Sequence, residues 1–239
     1  MYQTDEVTIY GINKKIWKLW DDTKFDKKNI LYAPYVYPKE LVHNKLLIMG
    51  VNPSFTEESV KLYRKYGQIQ NPNEYLKWDL IHKPNMTQLM DVEYKVQKKH
   101  SYFNWCDELA NKIGTPYEHI DMFFYRAKDQ KECETIVFDK KSAKLNSFGQ
   151  AQLEITKALI EFINPKLILV ANAFAAHRLF DELNLKNTQN EKKGCYYYSF
   201  DNTLTVPIFL SSMISGGHMD EYSRLRLIWQ MKSVLNNPR

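Results

Sequence analysis

The sequence predicts an α/β protein: a mostly parallel sheet of four strands with helices on both faces, in three layers. Three observations predict it. Short apolar runs recur along the chain, as strands buried on both faces read: Leu46-Leu47-Ile48-Met49, Ile120 to Tyr125, Leu167 to Ala171 and Val206 to Leu210. Segments of helical period lie between them. Capping residues, Gly and Pro punctuate the joints.

Each element has its own signal. Lys14 to Trp20 reads as a short helix with Ile16, Leu19 and Trp20 on one side. The first strand, Leu46 to Met49, runs into Gly50-Val51-Asn52-Pro53-Ser54. Ser54 and Glu57 have capping-box spacing, so a helix is expected to open there. Residues 66–99 are polar with scattered aromatics and Pro turns, and 55–100 is read as an irregular insertion on the core. From Ser101, the residues Tyr102, Trp105, Cys106, Leu109, Ala110 and Ile113 follow the helical period, closed by Gly114 and Pro116. Ser147 and Gln150 suggest a second capped helix, ended before Pro165. Asn172 can cap the helix after Leu167 to Ala171. Tyr196 to Phe200 and Val206 to Leu210 flank Asp201-Asn202 as a hairpin would, and a last helix is expected from about Asp220 to Leu235. Nothing along the chain marks a second domain. The expectation is one domain over 1–239, with 1–44 as an N-terminal extension.

Bulk properties narrow the function classes. A length of 239 residues supports one large core. The net charge of +5 permits a nucleic-acid partner without requiring one. Cys106, Cys133 and Cys195 are far apart and form no CxxC pair, which fits a reducing compartment. No apolar run has membrane-spanning length and the first residues hold no signal-peptide core, so a cytoplasmic location and no membrane partner are expected. His43, His82, His100, His119 and His177 show no metal spacing, so no metal site is expected. GxGxxG, GxxxxGK[ST] and GxSxG are all missing from the sequence.

In an open parallel sheet, ligands bind beyond the carboxyl ends of the strands. That rule nominates Asn52-Pro53, Tyr125-Arg126, Ala171-Asn172 and Ser211 to His218. Gly50 permits a sharp turn or a close approach. Pro53 biases Asn52 toward an extended conformation, from which its carboxamide reaches outward as donor and acceptor. In the last loop the hydroxyls and backbone N–H groups suit a phosphate. Met213 and Ile214 are unusual there: they either tuck into the core or act as a wedge in a base stack. His218 can titrate or face a developing negative charge, or simply be solvated.

Taken in order, these loops resemble the uracil-DNA glycosylase superfamily. LLIMGVNPS is similar to the first signature loop of its mismatch-specific and single-strand-selective branches, where a strand runs into Gly-x-Asn-Pro. INPKLILVANAFAAHRLF resembles the family's third-strand region, and VPIFLSSMISGGHMD lies where the family places its last strand and DNA-inserting loop.

The resemblance implies a glycosylase-like fold of four parallel strands and a DNA-repair hydrolase that releases uracil or another damaged or mismatched base. It also implies single- or double-stranded DNA as partner, no cofactor and no metal, and a monomer is expected. Asn52 matches the Asn that positions the attacking water, and Gly50, Val51, Pro53 and Ser54 complete its loop. Ser212, Met213, Ile214, Ser215, Gly216 and Gly217 fall on the DNA-inserting loop. Phe55 and Tyr125 are both candidates to stack on the base, and Arg126 and Asn172 are candidate substrate contacts. The family's His-Pro-Ser pattern is replaced, and His218, several residues later, is the candidate to stand in for its histidine. Tyr125-Arg126 occupies the place where some branches carry a base-reading Asn. A non-catalytic nucleic-acid-binding relative, and a hydrolase of nucleosides or nucleotides on the same fold, are the alternatives.

Overall fold

The structure is a computed structural model and describes residues 8–25, 31–79, 83–142, 144–200, 204–214 and 218–236. In chain order its elements are α1 (Ile9–Asp22), β1 (Leu46–Gly50), α2 (Glu57–Lys65), α3 (Pro72–Tyr75), α4 (Met86–Val96), α5 (Tyr102–Ile113), β2 (Tyr117–Asp121) and α6 (Gln130–Val137). There follow α7 (Ser147–Ile163), β3 (Leu167–Ala171), α8 (Ala173–Glu182), β4 (Gln189–Asn190), β5 (Cys195–Phe200), β6 (Leu204–Ser211) and α9 (Glu221–Asn236). The chain divides into two compact units. A helical unit takes Met1–Leu41, Asn52–His100 and Phe123–Phe162; a sheet unit takes Val42–Val51, Ser101–Met122 and Ile163–Arg239. Because the units use alternate stretches of chain, no linker marks them in the sequence.

All six strands belong to the sheet unit, in the order β2-β1-β3-β6-β5-β4. The first four run parallel, and β5 and β4 continue the sheet antiparallel. The sheet is therefore mixed and six-stranded, where four strands were expected. The hairpin is the reason: β5 pairs along β6 and brings β4 with it. The hairpin's turn, Asp201-Asn202, lies outside the described residues. Pro207 precedes Ile208, the first residue of β6 in register with β3, so its missing N–H falls outside that ladder.

The alternation of β1 explains its unbroken apolar run. Leu46 and Ile48 join Leu167, Leu169 and Phe209 in a core with Cys106, Leu109 and Ala110 of α5 and Leu227, Ile228 and Met231 of α9. Leu47, Met49, Ile168, Val170 and Ile208 point to the other face and are buried as well. Each such aliphatic side chain contributes roughly 1.5–3 kcal/mol on burial. The helix expected from Ser101 is α5, and it ends as its sequence predicts: Gly114 adopts φ 83°, a left-handed cap.

In the helical unit, α1 buries Ile9, Ile12, Asn13, Ile16 and Trp20, one stripe of a longer helix than Lys14 to Trp20 alone suggests. Asn13 donates from Nδ2 to Tyr37 O (2.8 Å) and accepts from Tyr37 N (2.9 Å), pinning the loop at Tyr37. The region expected to be irregular carries α2, α3 and α4. Val60 and Tyr63 of α2 pack with Leu89, Met90, Val92 and Val96 of α4 around Phe55 and Leu76. Polar residues dilute those stripes until they read as loop. The caps also shift by one or two positions. Thr56, not Ser54, precedes α2 and donates its N–H to Ser59 Oγ (3.2 Å). Asn146 opens α7, its Oδ1 accepting from Gly149 N (2.9 Å). Among the described residues no helix is long and apolar enough to cross a membrane.

Candidate functional site

The register of the sheet sets out the first group of candidates. Gly50 pairs with Asp121, Met49 with Val170, and Ala171 with Ser211, so β2, β1, β3 and β6 end level along one edge of the sheet unit. At Gly50 the chain passes close to Asp121, whose carboxylate would have to shift to admit a Cβ. Val51 is buried. Asn172 is the N-cap of α8, its Oδ1 accepting from Phe174 N (2.9 Å) and Ala175 N (3.1 Å). The predicted cap is present, and the oxygen that would read a ligand is committed to the helix.

At the end of β6, Ser211 Oγ is buried with no hydrogen-bond partner among the described residues. Ser212 is half-buried. The two apolar residues of this loop part company. Met213 is 36% exposed, whereas Ile214 is 5% exposed and packs in the core with Leu227 and Ile228. Ile214 therefore anchors the loop and is withdrawn as a wedge; Met213 keeps that candidacy. His218 is exposed. Ser215, Gly216 and Gly217 lie outside the described residues.

The second group lies in the helical unit. Within this unit Ser54 forms a parallel bridge with Ala127, and Phe55 N donates to Ala127 O (3.0 Å). Ser59 Oγ donates to Ser54 O (2.9 Å), tying this segment to α2. On that fixed frame Asn52 and Pro53 are half-buried and Ser54 is exposed. The one hydrogen bond of the Asn52 side chain among the described residues is a long one, Nδ2 to Pro53 O at 3.4 Å. Its Oδ1 accepts none from the described residues, so the carboxamide is available to a ligand.

Three other candidates in this unit are structural. Phe55 is buried and meets Tyr32 and Tyr63 edge-on, with ring centroids 4.6 and 6.0 Å apart. Tyr125 is buried, and burial, reinforced by the negative charge of Glu132, pushes its hydroxyl above the usual range. Arg126 is 3% exposed and fully engaged. Its Nε donates to Ala33 O (2.9 Å), Nη1 to Tyr63 Oη (2.9 Å) and Nη2 to the carboxylate of Glu93. Tyr63 Oη also donates to both oxygens of Glu93, at 2.7 and 2.8 Å. Burial drives the Glu93 carboxyl up, against the opposing pull of Arg126 and Tyr63. The guanidinium expected to meet substrate instead satisfies a buried acid, as an ion taken out of water must.

One residue was missed. The second strand was expected to run from Ile120 to Tyr125, but β2 ends at Asp121. Asp121 is thus the polar residue at that carboxyl end, in register with Gly50. An acid within the run Ile120-Asp121-Met122-Phe123 was the available signal, because a charge interrupts a buried strand only where it has a partner or leaves the core.

Among the described residues no group of three or more His, Cys, Asp or Glu side chains is placed to hold a metal ion. Cys106, Cys133 and Cys195 are buried and form no disulfide. The sequence matches no protein-family model, and no curated protein aligns with it significantly.

Proposed function

We propose that this chain hydrolyses the N-glycosidic bond of a damaged or mismatched base in DNA, uracil being the simplest case, with Asn52 holding the attacking water. The observation that carries the reading is the Asn52 carboxamide: half-buried, fixed by its chain neighbours, and without an acceptor bond at Oδ1 among the described residues. The run of four parallel strands, with Gly-Val-Asn-Pro following β1, supports it.

In this reaction the water oxygen bonds to C1′ of the sugar and the C1′–N bond breaks. The base departs with the bonding electron pair and is protonated, and the proton lost by the water goes to solvent. Asn52 Oδ1 accepts a hydrogen bond from the water and orients it. An amide takes no proton, so the mechanism suits a base that leaves readily as an anion. Reaching the bond requires the nucleotide to leave the stack.

The test incubates the protein with single- and double-stranded oligonucleotides carrying uracil, a G·T or G·U mismatch, or hypoxanthine. Abasic sites that form with the native chain and fail to form with Asn52→Ala support the reading. Binding without base release identifies a non-catalytic nucleic-acid-binding protein. Neither binding nor release leaves a nucleoside- or nucleotide-processing hydrolase.

A further inference from the structure

Helix α9 presents large side chains to solvent in a pattern that core packing does not explain. Leu227, Ile228, Met231 and Val234 face the core of the sheet unit. On the opposite side Tyr222 is 83% exposed, Trp229 67% and Leu225 49%. Tyr222, Leu225, Arg226 and Trp229 stand at i, i+3, i+4 and i+7, so they share one face of the helix. The two aromatic rings are about 10 Å apart along the axis at 1.5 Å per residue. Neither ring makes a ring–ring or cation–π contact among the described residues.

The charges beside these rings are positive. Arg226 and Lys232 are exposed, and the Arg224 guanidinium lies over the Trp105 ring at 5.3 Å. Of the nearby acids, Asp220 accepts from Ser223 N (2.9 Å) at the start of the helix, and Glu108 is paired with Lys112. Glu221 projects about 100° around the helix from Tyr222.

We infer that this face of α9 binds single-stranded nucleic acid, with Tyr222 and Trp229 as stacking platforms and Arg226 and Lys232 holding phosphates. Every base offers a π face, and interleaved aromatic and basic side chains bind an unpaired strand without reading its sequence. A second copy of the chain is the poorer occupant. A two-fold interface sets the same patch against itself, which would bring one basic face against another. A lipid surface is poorer too, because the stripe has one aliphatic residue where an interfacial helix carries a broad apolar face. The inference shares a nucleic-acid partner with the proposed function but does not use Asn52.

The experiment measures anisotropy of a labelled oligothymidylate titrated with the full chain and with Tyr222→Ala, Trp229→Ala, Trp229→Phe, Trp229→Leu and Arg226→Ala. Each aromatic-to-Ala change is expected to weaken binding about tenfold. Trp229→Phe keeps most of the affinity and Trp229→Leu does not, which separates stacking from simple apolar contact. Arg226→Ala lowers the salt dependence. These positions are exposed, so unchanged thermal melts are expected to show that the variants fold. Native-level binding by Trp229→Ala, or no binding by the native chain, overturns the inference. So does self-association or vesicle binding that Trp229→Ala abolishes while oligothymidylate binding is untouched. Oligonucleotide binding without base release contradicts the glycosidase reading alone; base release without Trp229-dependent binding contradicts this inference alone.

Discussion

Asn52 and Arg126 invite comparison because the same rule nominates both. Each follows a parallel strand in the chain, in the segments of the helical unit that Ser54 and Ala127 join. Their side chains end in opposite situations. The Arg126 guanidinium is closed in by Glu93, Tyr63 and Ala33 O, while the Asn52 carboxamide keeps its acceptor oxygen unused among the described residues. Position beyond a strand nominates a residue; hydrogen-bond accounting decides whether it has anything left for a ligand. Arg126 stiffens the frame, and Asn52 is what the frame presents.

Removing the buried cation has the largest expected effect. Arg126→Met leaves the buried Glu93 carboxyl without its strongest partner. The expected loss is about 3–5 kcal/mol in urea denaturation. Adding Glu93→Leu to that variant should restore much of the stability, because an apolar pair then replaces the ionic one. A double variant as unstable as the single one would show that Arg126 acts through something other than the ion pair.

A smaller effect is expected at Gly50. Gly50→Ala forces the Asp121 carboxylate to move, at about 1–3 kcal/mol, the range for overpacking. Asp121→Ala in the same chain should relieve most of it, and thermal melts of the two variants would show whether it does. Asn172 separates the cap from substrate binding. Asn172→Ala should lose about 1 kcal/mol of stability while Asn172→Ser holds it. Equal loss in both would contradict the capping role. Smallest of all is the stability change for Asn52→Ala, expected within about 0.5 kcal/mol because no strong native bond is removed.

How much of this was legible in the sequence varied with the physics of each element. The strands of the sheet unit were legible because burial on both faces leaves unbroken apolar runs, as at Leu46 to Met49 and Leu167 to Ala171. The Asn172 cap and the Gly114 stop were legible because local backbone geometry selects those residues. Helix α4 was not, because it buries Glu93 along with its apolar residues, and a buried acid reads as surface until Arg126 is known to meet it. The end of β2 was misplaced for a related reason. Met122 to Tyr125 are as buried as any strand, but their backbone lies beyond the strand pairing. Ile214 looked anomalous in a polar loop and proved to be its anchor, a distinction that only packing makes.

The most direct measurement is abasic-site formation on a uracil-containing oligonucleotide by the native chain and by Asn52→Ala, with thermal melts of both. The account predicts base release by the native chain, a loss of about 10²- to 10³-fold in Asn52→Ala, and melts that coincide. Base release that survives Asn52→Ala in a folded protein would contradict it.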